Sequence, residues 1–203
     1  MEYIIVIFFS YLSGSIPFGL IITKIFTGKD IRNIGSGNIG ATNVLRTGRK
    51  YLAIVTLLFD IIKGYAAVVA TEHFFPELTE LSALIVFLGH IFPIWIRFKG
   101  GKGVATYLGI LFALSLSLSA IFIFTWVVIS LIFRYSSISS MFSSLTVLAV
   151  ATIRENVVGT INPNLLNDNN IIFLLFTFFI LIIFSHRKNI TNLKNKTEIK
   201  IKI

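Results

Sequence analysis

Six long apolar stretches with almost no charge constrain this chain more than any other feature of its sequence. They cover residues 1–22, 51–70, 81–96, 104–133, 141–153 and 171–184. Because a helix needs about 20 apolar residues to cross a hydrocarbon layer of about 30 Å, most of these stretches are predicted to span a membrane. Only 13% of the residues are charged, which excludes an ordinary soluble domain. The first stretch carries Glu2 and lacks a basic start, so it is predicted to be a retained span, not a cleaved signal peptide.

The positions of the basic residues predict the topology. Three segments hold most Lys and Arg: six in residues 24–50, three in residues 97–102 and six in residues 187–202. Because basic residues mark cytoplasmic loops, all three segments are expected on the cytoplasmic side. The complementary loops carry Glu2, Glu72, Glu77, Glu80 and Asp168 and are expected outside. The formal net charge of +9 therefore reflects membrane orientation, and no nucleic-acid partner is expected.

The apolar stretch over residues 104–133 decides the number of spans. The second basic segment and the C-terminal tail are both expected inside, so an even number of crossings must separate them. The two later apolar stretches supply two crossings, so residues 104–133 must leave the cytoplasmic side and return. As one helix this stretch would be about 45 Å long, which is long for one crossing and short for two. We predict a tight hairpin of two short or tilted helices, broken within the serine-containing segment 115–119.

The resulting prediction is an all-α integral membrane protein of about seven transmembrane helices, with the N-terminus outside and the C-terminus in the cytoplasm. Five spans plus a re-entrant segment are the alternative, which leaves every loop on the same side. No internal repeat or linker divides the chain, so residues 1–203 are expected to form a single domain. The chain has no cysteine, which removes disulfides and thiolate metal sites.

The first basic segment contains a pattern typical of an anion site. It reads NIGSGNIGATNVLR over residues 33–46. Gly35 and Gly37 allow backbone N–H groups to come close to a bound anion. Ser36 and Asn38 add donors, and Arg46 can hold a phosphate through two hydrogen bonds. The glycines also match G-x-G-x-x-G, but a dinucleotide site needs a βαβ unit, which membrane helices do not provide.

The second basic segment also joins glycines to cations. It reads GHIFP over residues 89–93 and RFKGGKGV over residues 97–104. Gly101, Lys102 and Gly103 precede a predicted helix, whose N-terminus would favour a bound anion. No Ser or Thr follows Lys102, so the segment is not a Walker loop. A simple positive-inside turn is the alternative interpretation.

Two further segments add hydroxyl, imidazole and amide groups. Ser137 and Ser140 lie in a serine-rich run after the fourth apolar stretch, and His186 and Asn189 follow the last one. Hydroxyls in such a run can instead bond helix carbonyls, and His186 can instead cap the last span. Four polar segments rich in donors and poor in carboxylates indicate a substrate with one or two phosphoryl groups, bound where lipid meets cytosol.

Carboxylates are scarce in these segments. Asp30 and Glu198 are the only acids they contain, too few for a convincing Mg²⁺ or Zn²⁺ site, so neither metal nor cofactor is expected. Asp60 and Lys63 lie inside a predicted span, three residues apart, and are interpreted as a structural pair. His90 could orient the second basic segment or serve packing alone.

The order and spacing of these motifs resemble the bacterial acyl-phosphate:glycerol-3-phosphate acyltransferase family, often called PlsY. The resemblance runs over GSIPFG at residues 14–19, residues 35–46, Asp60 with Lys63 and Gly64, residues 89–93, 99–106, 134–140 and 186–198. Ile39 stands where the family often has Pro, and Lys196 where it often has Gly. The resemblance implies seven membrane helices and a cytosolic site in the inner membrane.

The resemblance also implies the reaction: transfer of a fatty acyl group from acyl phosphate to the 1-hydroxyl of glycerol 3-phosphate, giving lysophosphatidate and phosphate. It implies direct transfer, with a phosphate oxygen of the donor taking the hydroxyl proton. The expected catalytic residues are Ser36, Lys102, His186 and Asn189. The expected phosphate-binding residues are Gly35, Gly37, Asn38, Arg46, Gly101, Gly103, Ser137 and Ser140. The expected partners are the two substrates, membrane lipids and, through a functional link, the soluble enzyme that makes acyl phosphate.

Two other function classes compete with this interpretation. A transporter of a phosphorylated metabolite would also use broken helices and glycine-rich helix ends, but its site would lie near the midplane. A scaffold that binds anionic lipid would need neither the Gly-Ser-Gly pattern nor the hydroxyl cluster. An acyltransferase of the His-x-x-x-x-Asp type is excluded, because no histidine here has Asp five residues later.

The charge distribution makes the topology testable in this cysteine-free chain. A cysteine placed singly at Lys29, Lys99 or Lys196 is expected to resist an impermeant thiol reagent in intact cells, because each position belongs to a cytoplasmic segment. A cysteine at Glu77 is the control and is expected to react. Labelling of any of the three lysine positions from outside would overturn the topology.

Overall fold

A computed structural model describes residues 1–161 and 169–201, with side chains described for residues 1–156 and 171–201. The regular structure in this part of the chain is helical, with no strand. It comprises α1 (Glu2–Ser15), α2 (Phe18–Thr27), α3 (Ala41–Leu45), α4 (Lys50–Phe74), α5 (Thr79–Ile91), α6 (Val104–Leu114), α7 (Leu116–Phe133), α8 (Ser136–Ile161), α9 (Asn169–Ser185) and α10 (Arg187–Lys194). Asp168 and Lys202, which the topology prediction used, lie outside the described residues.

Five helical segments among the described residues are long and apolar enough to cross a membrane. They are Glu2–Thr27, Lys50–Phe74, Pro76–Ile96, Leu116–Phe133 and Ser136–Asn156. The helices Ile171–Ser185 and Arg187–Lys194 are bent by 54° relative to each other. If this pair counts as one span, it is the sixth. Helix α6 has 11 residues and reaches only about 16 Å. The all-α membrane class is therefore confirmed, whereas the count of seven and the side of each loop stay predictions.

The predicted break in the long apolar stretch occurs at Ser115. This residue has an extended backbone (φ −163°, ψ 115°) between α6 and α7. Its Oγ accepts a hydrogen bond from the backbone N–H of Leu118 at 3.3 Å, which caps the start of α7. The sequence thus located the break correctly, and the proposed return of the chain across the membrane stays a prediction.

The described chain forms two compact units, Met1–Leu114 and Ser115–Ile203. In the first unit, α4 packs along α6 and α1 packs along α5. The α4 and α6 backbones come very close, because a Cβ on Gly109 would overlap the carbonyl of Ile61 and one on Gly64 would press against Thr106. Small residues allow such contacts between membrane helices, where dispersion replaces the hydrophobic effect. A single domain over residues 1–203 stays a prediction.

The second unit is built around α8, which packs against α7 on one side and α9 on another. The chain bends at His186, between α9 and α10. After α10 the tail returns to the turn between α7 and α8, where the N–H of Ile201 donates to the carbonyl of Arg134 at 2.7 Å. The tail is therefore an integral part of this unit.

Helix α10 ends in a Schellman motif centred on Lys196. The N–H of Thr197 donates to the carbonyl of Asn192 at 2.8 Å, and the N–H of Lys196 donates to Leu193 at 3.1 Å. This arrangement needs a left-handed residue, and Lys196 has φ +58°. Position 196 is where the resembled family often has glycine, and the left-handed conformation supplies the physical reason.

Lys196→Gly is expected to stabilise the second unit by about 1 kcal/mol or less, because glycine adopts the left-handed conformation without the Cβ clash. The measurement is the thermal unfolding midpoint of purified protein in detergent. Lys194→Gly is the matched control: the same substitution in the last turn of α10 should lower the midpoint. Equal losses from both variants would show that the conformation of Lys196 is not strained.

Candidate active site

Asn43 organises the first loop, residues 28–49. Its side chain is buried, and its Nδ2 donates to the carbonyls of Ile31, Ile34 and Asn38 at 3.1, 2.8 and 2.8 Å. Its Oδ1 accepts from the backbone N–H of Ser36 at 2.9 Å. One buried amide therefore bonds backbone groups of four residues and holds the loop together.

The predicted phosphate-binding residues of the first loop surround this amide. Gly35 and Gly37 have φ +56° and +70°, so the chain turns there in a conformation that favours glycine. Arg46 reaches the same amide, with Nη1 3.4 Å from Oδ1 of Asn43. Ser36 is exposed, and its hydroxyl makes no hydrogen bond within the described residues. The loop thus presents a hydroxyl beside an arginine on a rigid backbone.

Asn38 has a local role in the same loop. Its Oδ1 accepts a hydrogen bond from the N–H of Gly40 at 2.9 Å, and this bond turns the chain into α3. The loop rests on apolar packing through buried side chains. They are Ile22, Ile31, Ile39, Val44, Leu52, Ala53 and Ile96.

An ion pair closes the exposed edge of the first loop. Arg32 Nη2 lies 2.6 Å from Oδ2 of Asp30, and the N–H of Arg32 donates to Oδ1 at 2.9 Å. The side-chain and then the backbone hydrogen bonds from Arg32 lower the pKa of Asp30 to about 2. The same side-chain bond raises the pKa of Arg32. Asp30 is therefore ionised over the whole physiological range and paired within the loop.

The second loop, residues 92–103, is fastened to the end of α5. The N–H groups of Gly100 and Gly101 donate to the carbonyls of Ile91 and His90 at 3.0 and 3.1 Å. Two bulky residues before them, Arg97 and Phe98, have φ +54° and +59°. Left-handed backbone at two consecutive residues without glycine is unfavourable, so the surrounding contacts must hold it.

The glycines around Lys102 pack against buried rings. A Cβ on Gly101 would overlap Nε2 of His90, and a Cβ on Gly103 would overlap the ring of Phe87. Lys102 is half-buried between them and lies two residues before the start of α6. The lysine is therefore near a helix N-terminus, where sequence analysis expected it. The two glycines have packing reasons of their own, and their role in phosphate binding stays a prediction.

In the second unit, Glu198 gathers two of the predicted site residues. Its Oε1 accepts from Nδ2 of Asn189 at 2.5 Å and from Oγ of Ser137 at 3.1 Å. Ser137 and Asn189 are both buried. The carboxylate joins the start of α8, the start of α10 and the tail, so it orders Ser137 and Asn189.

His186 and Ser140 are buried in the same unit. Nδ1 of His186 lies 2.8 Å from the carbonyl of Ile182. Because a carbonyl only accepts, Nδ1 carries a proton and donates this bond. Ser140 donates to the carbonyl of Ser136 at 2.8 Å and accepts from Nε1 of Trp126 at 3.2 Å. Its hydroxyl thus makes the helix bond that sequence analysis gave as the alternative to ligand binding.

Sequence analysis missed two organising residues, Asn43 and Glu198. Both stand in the quoted motifs, and the available signal was an amide and a carboxylate within these polar segments. The expected pairing of Asp60 with Lys63 is confirmed, with Nζ 2.8 Å from Oδ1. Across residues 1–161 and 169–201, no three His, Asp or Glu residues group as metal ligands.

Comparisons with known proteins decide the family. A profile described as glycerol-3-phosphate acyltransferase matches residues 4–196. The glycerol-3-phosphate acyltransferase of Pelagibacter ubique is 51% identical over 203 residues, the whole of both chains. That of Mesorhizobium japonicum is 46% identical over 198 residues, 98% of this chain and 95% of the relative. This chain belongs to the glycerol-3-phosphate acyltransferase family.

Solved structures of this acyltransferase family agree with the assignment. The glycerol 3-phosphate form of PlsY (YgiH), an integral membrane glycerol 3-phosphate acyltransferase, matches with a TM-score of 0.89 at 33% identity. Its lysophosphatidic acid form matches with a TM-score of 0.86 at 31% identity. Both matches cover 100% of this chain and 96% of PlsY. The resemblance found in the sequence is confirmed, and the chain is a multi-pass membrane protein of the PlsY family.

Asn43→Ala is expected to destabilise the first loop of this acyltransferase. The N–H of Ser36 and the carbonyl of Asn38 lose their bond to the amide, and the carbonyls of Ile31 and Ile34 keep only the backbone N–H groups of Ile34 and Gly37. Each buried group left without a partner costs about 1–3 kcal/mol. We expect a lower thermal unfolding midpoint and an acyltransferase rate reduced about tenfold or more.

Asn33→Ala is the matched control, since Asn33 is exposed in the same loop and its side chain makes no hydrogen bond within the described residues. Asn43→Asp should be at least as harmful as Asn43→Ala, because a carboxylate cannot donate to the three carbonyls. Wild-type midpoint and rate in Asn43→Ala would contradict the organising role.

Proposed function

We propose that this chain transfers a fatty acyl group from acyl phosphate to the 1-hydroxyl of glycerol 3-phosphate. The products are lysophosphatidate and inorganic phosphate. The observation that carries the proposal is the family match over residues 4–196, which includes both glycine loops and the His186 segment. The glycerol 3-phosphate and lysophosphatidic acid forms of the similar PlsY structures support the acceptor and the product.

The chemistry of the donor explains why the site needs no protein nucleophile. Acyl phosphate is a mixed anhydride, so its carbonyl carbon is already activated. The glycerol oxygen forms the new ester bond to that carbon, and the bond from carbon to the phosphate oxygen breaks. The hydroxyl proton passes to a phosphate oxygen of the donor, and inorganic phosphate leaves. The protein then contributes positioning and charge stabilisation.

The predicted cationic residues lie in the first unit. Lys102 and Ser36 would hold the acyl phosphate, and Arg46 would bind a phosphate through its planar guanidinium. Support comes from the exposed hydroxyl of Ser36 beside Arg46 and from Lys102 at the start of α6. Backbone N–H groups near Gly35, Gly37, Asn38, Gly101 and Gly103 would complete the anion contacts.

The predicted neutral donors and acceptors lie in the second unit. The bond from Nδ1 to the carbonyl of Ile182 orients the ring of His186, which would contact a substrate hydroxyl. Asn189 and Ser137 are held by Glu198 and would act from fixed positions. Ser140 would contribute only if a substrate replaced its bond to the helix carbonyl.

The proposed setting is the bacterial inner membrane, with the site at the cytoplasmic side. The basic segments support this orientation through the positive-inside rule. The partners would be the two substrates, membrane lipids and the soluble enzyme that produces acyl phosphate. We propose one domain over residues 1–203 and a reaction without cofactor, metal ion or nucleic acid.

Purified protein in detergent or vesicles is expected to form lysophosphatidate from acyl phosphate and glycerol 3-phosphate, with acyl-CoA and acyl carrier protein used poorly. The reason is that the loops favour a phosphate leaving group and no His-x-x-x-x-Asp dyad exists. Lysophosphatidate would be measured with radiolabelled glycerol 3-phosphate. Comparable turnover with acyl-CoA would defeat the donor assignment. Uptake of glycerol 3-phosphate into vesicles without acylation would favour a transporter.

The catalytic control for this assay is Lys102→Ala. Loss of a preorganised charged donor lowers a rate by about 10²–10³, so turnover should fall by about two orders of magnitude or more in folded protein. Lys102→Arg should restore little of the lost turnover, because a planar guanidinium does not reproduce the compact ammonium of lysine. Lys99→Ala is the matched variant in the same loop and should be milder. The reverse ranking would contradict the role given to Lys102.

A further inference from the structure

The first unit buries a charged cluster that the proposed reaction does not use. Asp60 and Lys63 lie on α4 and His90 lies on α5, and their exposed fractions are 2%, 5% and 4%. Ionisable groups inside a membrane-spanning helix are unfavourable unless they are paired or functional. The question is therefore what the cluster does beyond neutralising itself.

Lys63 fixes the carboxylate of Asp60. Its Nζ lies 2.8 Å from Oδ1 of Asp60, and it also donates to the carbonyl of Ile16 at 2.8 Å. That carbonyl ends α1, where Pro17 interrupts the helix. The ring of Phe18 lies 5.6 Å from the same ammonium. The bonds to Asp60 and to the carbonyl of Ile16 together fix the position of the Lys63 ammonium. The carboxylate of Asp60 is therefore held in place.

Asp60 in turn faces His90. Its Oδ1 lies 3.7 Å from Nδ1 of the ring, too far for a hydrogen bond but close enough to orient the imidazole electrostatically. The opposite edge of the ring meets the second loop, because a Cβ on Gly101 would overlap Nε2. The imidazole therefore fills the space between a fixed carboxylate and the backbone of Gly101.

The backbone of His90 holds the same loop at a second point. Its carbonyl accepts the N–H of Gly101 at 3.1 Å, and the next carbonyl, of Ile91, accepts the N–H of Gly100 at 3.0 Å. Lys102 follows directly. A residue that contacts Gly101 with both its ring and its carbonyl sets where the chain enters Lys102.

We propose that His90, oriented by the Asp60–Lys63 pair, is a positioning residue that sets the Gly100–Gly103 backbone and thereby the ammonium of Lys102. The inference rests on the proposed function, in which Lys102 holds a phosphate of the substrate. A displacement of about 1 Å in such a group can reduce a rate about 10²-fold, so a buried residue that never touches substrate can govern turnover. The competing explanation is that His90 only fills space.

A double-mutant cycle separates the two explanations, with kcat/KM for acyl transfer as the readout. His90→Ala in the wild-type background should lower kcat/KM about tenfold or more. In the Lys102→Ala background the same substitution should have an effect within about twofold, because its target is gone. Equal fold losses in the two backgrounds would overturn the inference. His90→Asn, which shortens the side chain away from Gly101 and stays polar, serves if His90→Ala does not fold.

Asp60→Asn tests whether Asp60 orients His90, since it keeps the shape of the Asp60 side chain and removes the charge that orients the imidazole ring. Its loss of kcat/KM should likewise shrink in the Lys102→Ala background, and an undiminished loss there would remove Asp60 from the proposal. Ser82→Ala is the matched control: Ser82 is buried on α5 and bonds Ser10 and the carbonyl of Ala67 at 2.8 and 3.1 Å. It should lower the thermal midpoint and leave kcat/KM unchanged.

Failure of the inference and failure of the proposed function give different results. If wild-type protein does not acylate glycerol 3-phosphate from acyl phosphate, the proposed function fails before any variant is compared. If the wild type is active and Lys102→Ala is impaired, but His90→Ala costs the same factor in both backgrounds, only the positioning role fails.

Discussion

Every backbone N–H and C=O group at membrane depth must find a partner inside the protein, because lipid tails offer none. Helices meet this constraint along their length, so the difficult places are the helix ends. The carbonyl of Ile16, at the break before Pro17, receives the ammonium of Lys63. The carbonyls of His90 and Ile91 receive the N–H groups of the second loop. At both places, a side chain or a loop N–H group supplies the hydrogen-bond partner that the helix end lacks.

In the first loop a side chain supplies partners for backbone groups. Asn43 has donors and an acceptor on one planar group, so three carbonyls share its two N–H donors while its Oδ1 accepts the N–H of Ser36. In the second unit, Glu198 has the complementary role, because a carboxylate accepts from several donors at once. Asn43 thus fixes the first loop, and the half-buried Glu198 fixes Ser137 and Asn189.

Features set by local sequence were predictable, and features set by distant contacts were not. The apolar stretches became helices, Ser115 broke the longest, and Asp60 paired with Lys63 as spacing on one helix face suggested. The organising role of Glu198 depends on a bond to Ser137, 61 positions away, which no local pattern encodes. The left-handed backbone at Arg97 and Phe98 was equally hidden, because neither position is glycine.

The glycines show why a motif can indicate the right site for a different physical reason. Sequence analysis chose Gly101 and Gly103 as anion-binding residues, since glycine lets a backbone approach a ligand. In the structure their missing side chains make room for His90 and Phe87. The two reasons are compatible, because a backbone held tightly on one face by buried rings presents its other face in a fixed position. In the proposed transfer between an activated donor and a hydroxyl, placement dominates the chemistry, so residues that fix the loop would affect the rate as well as those that would touch phosphate.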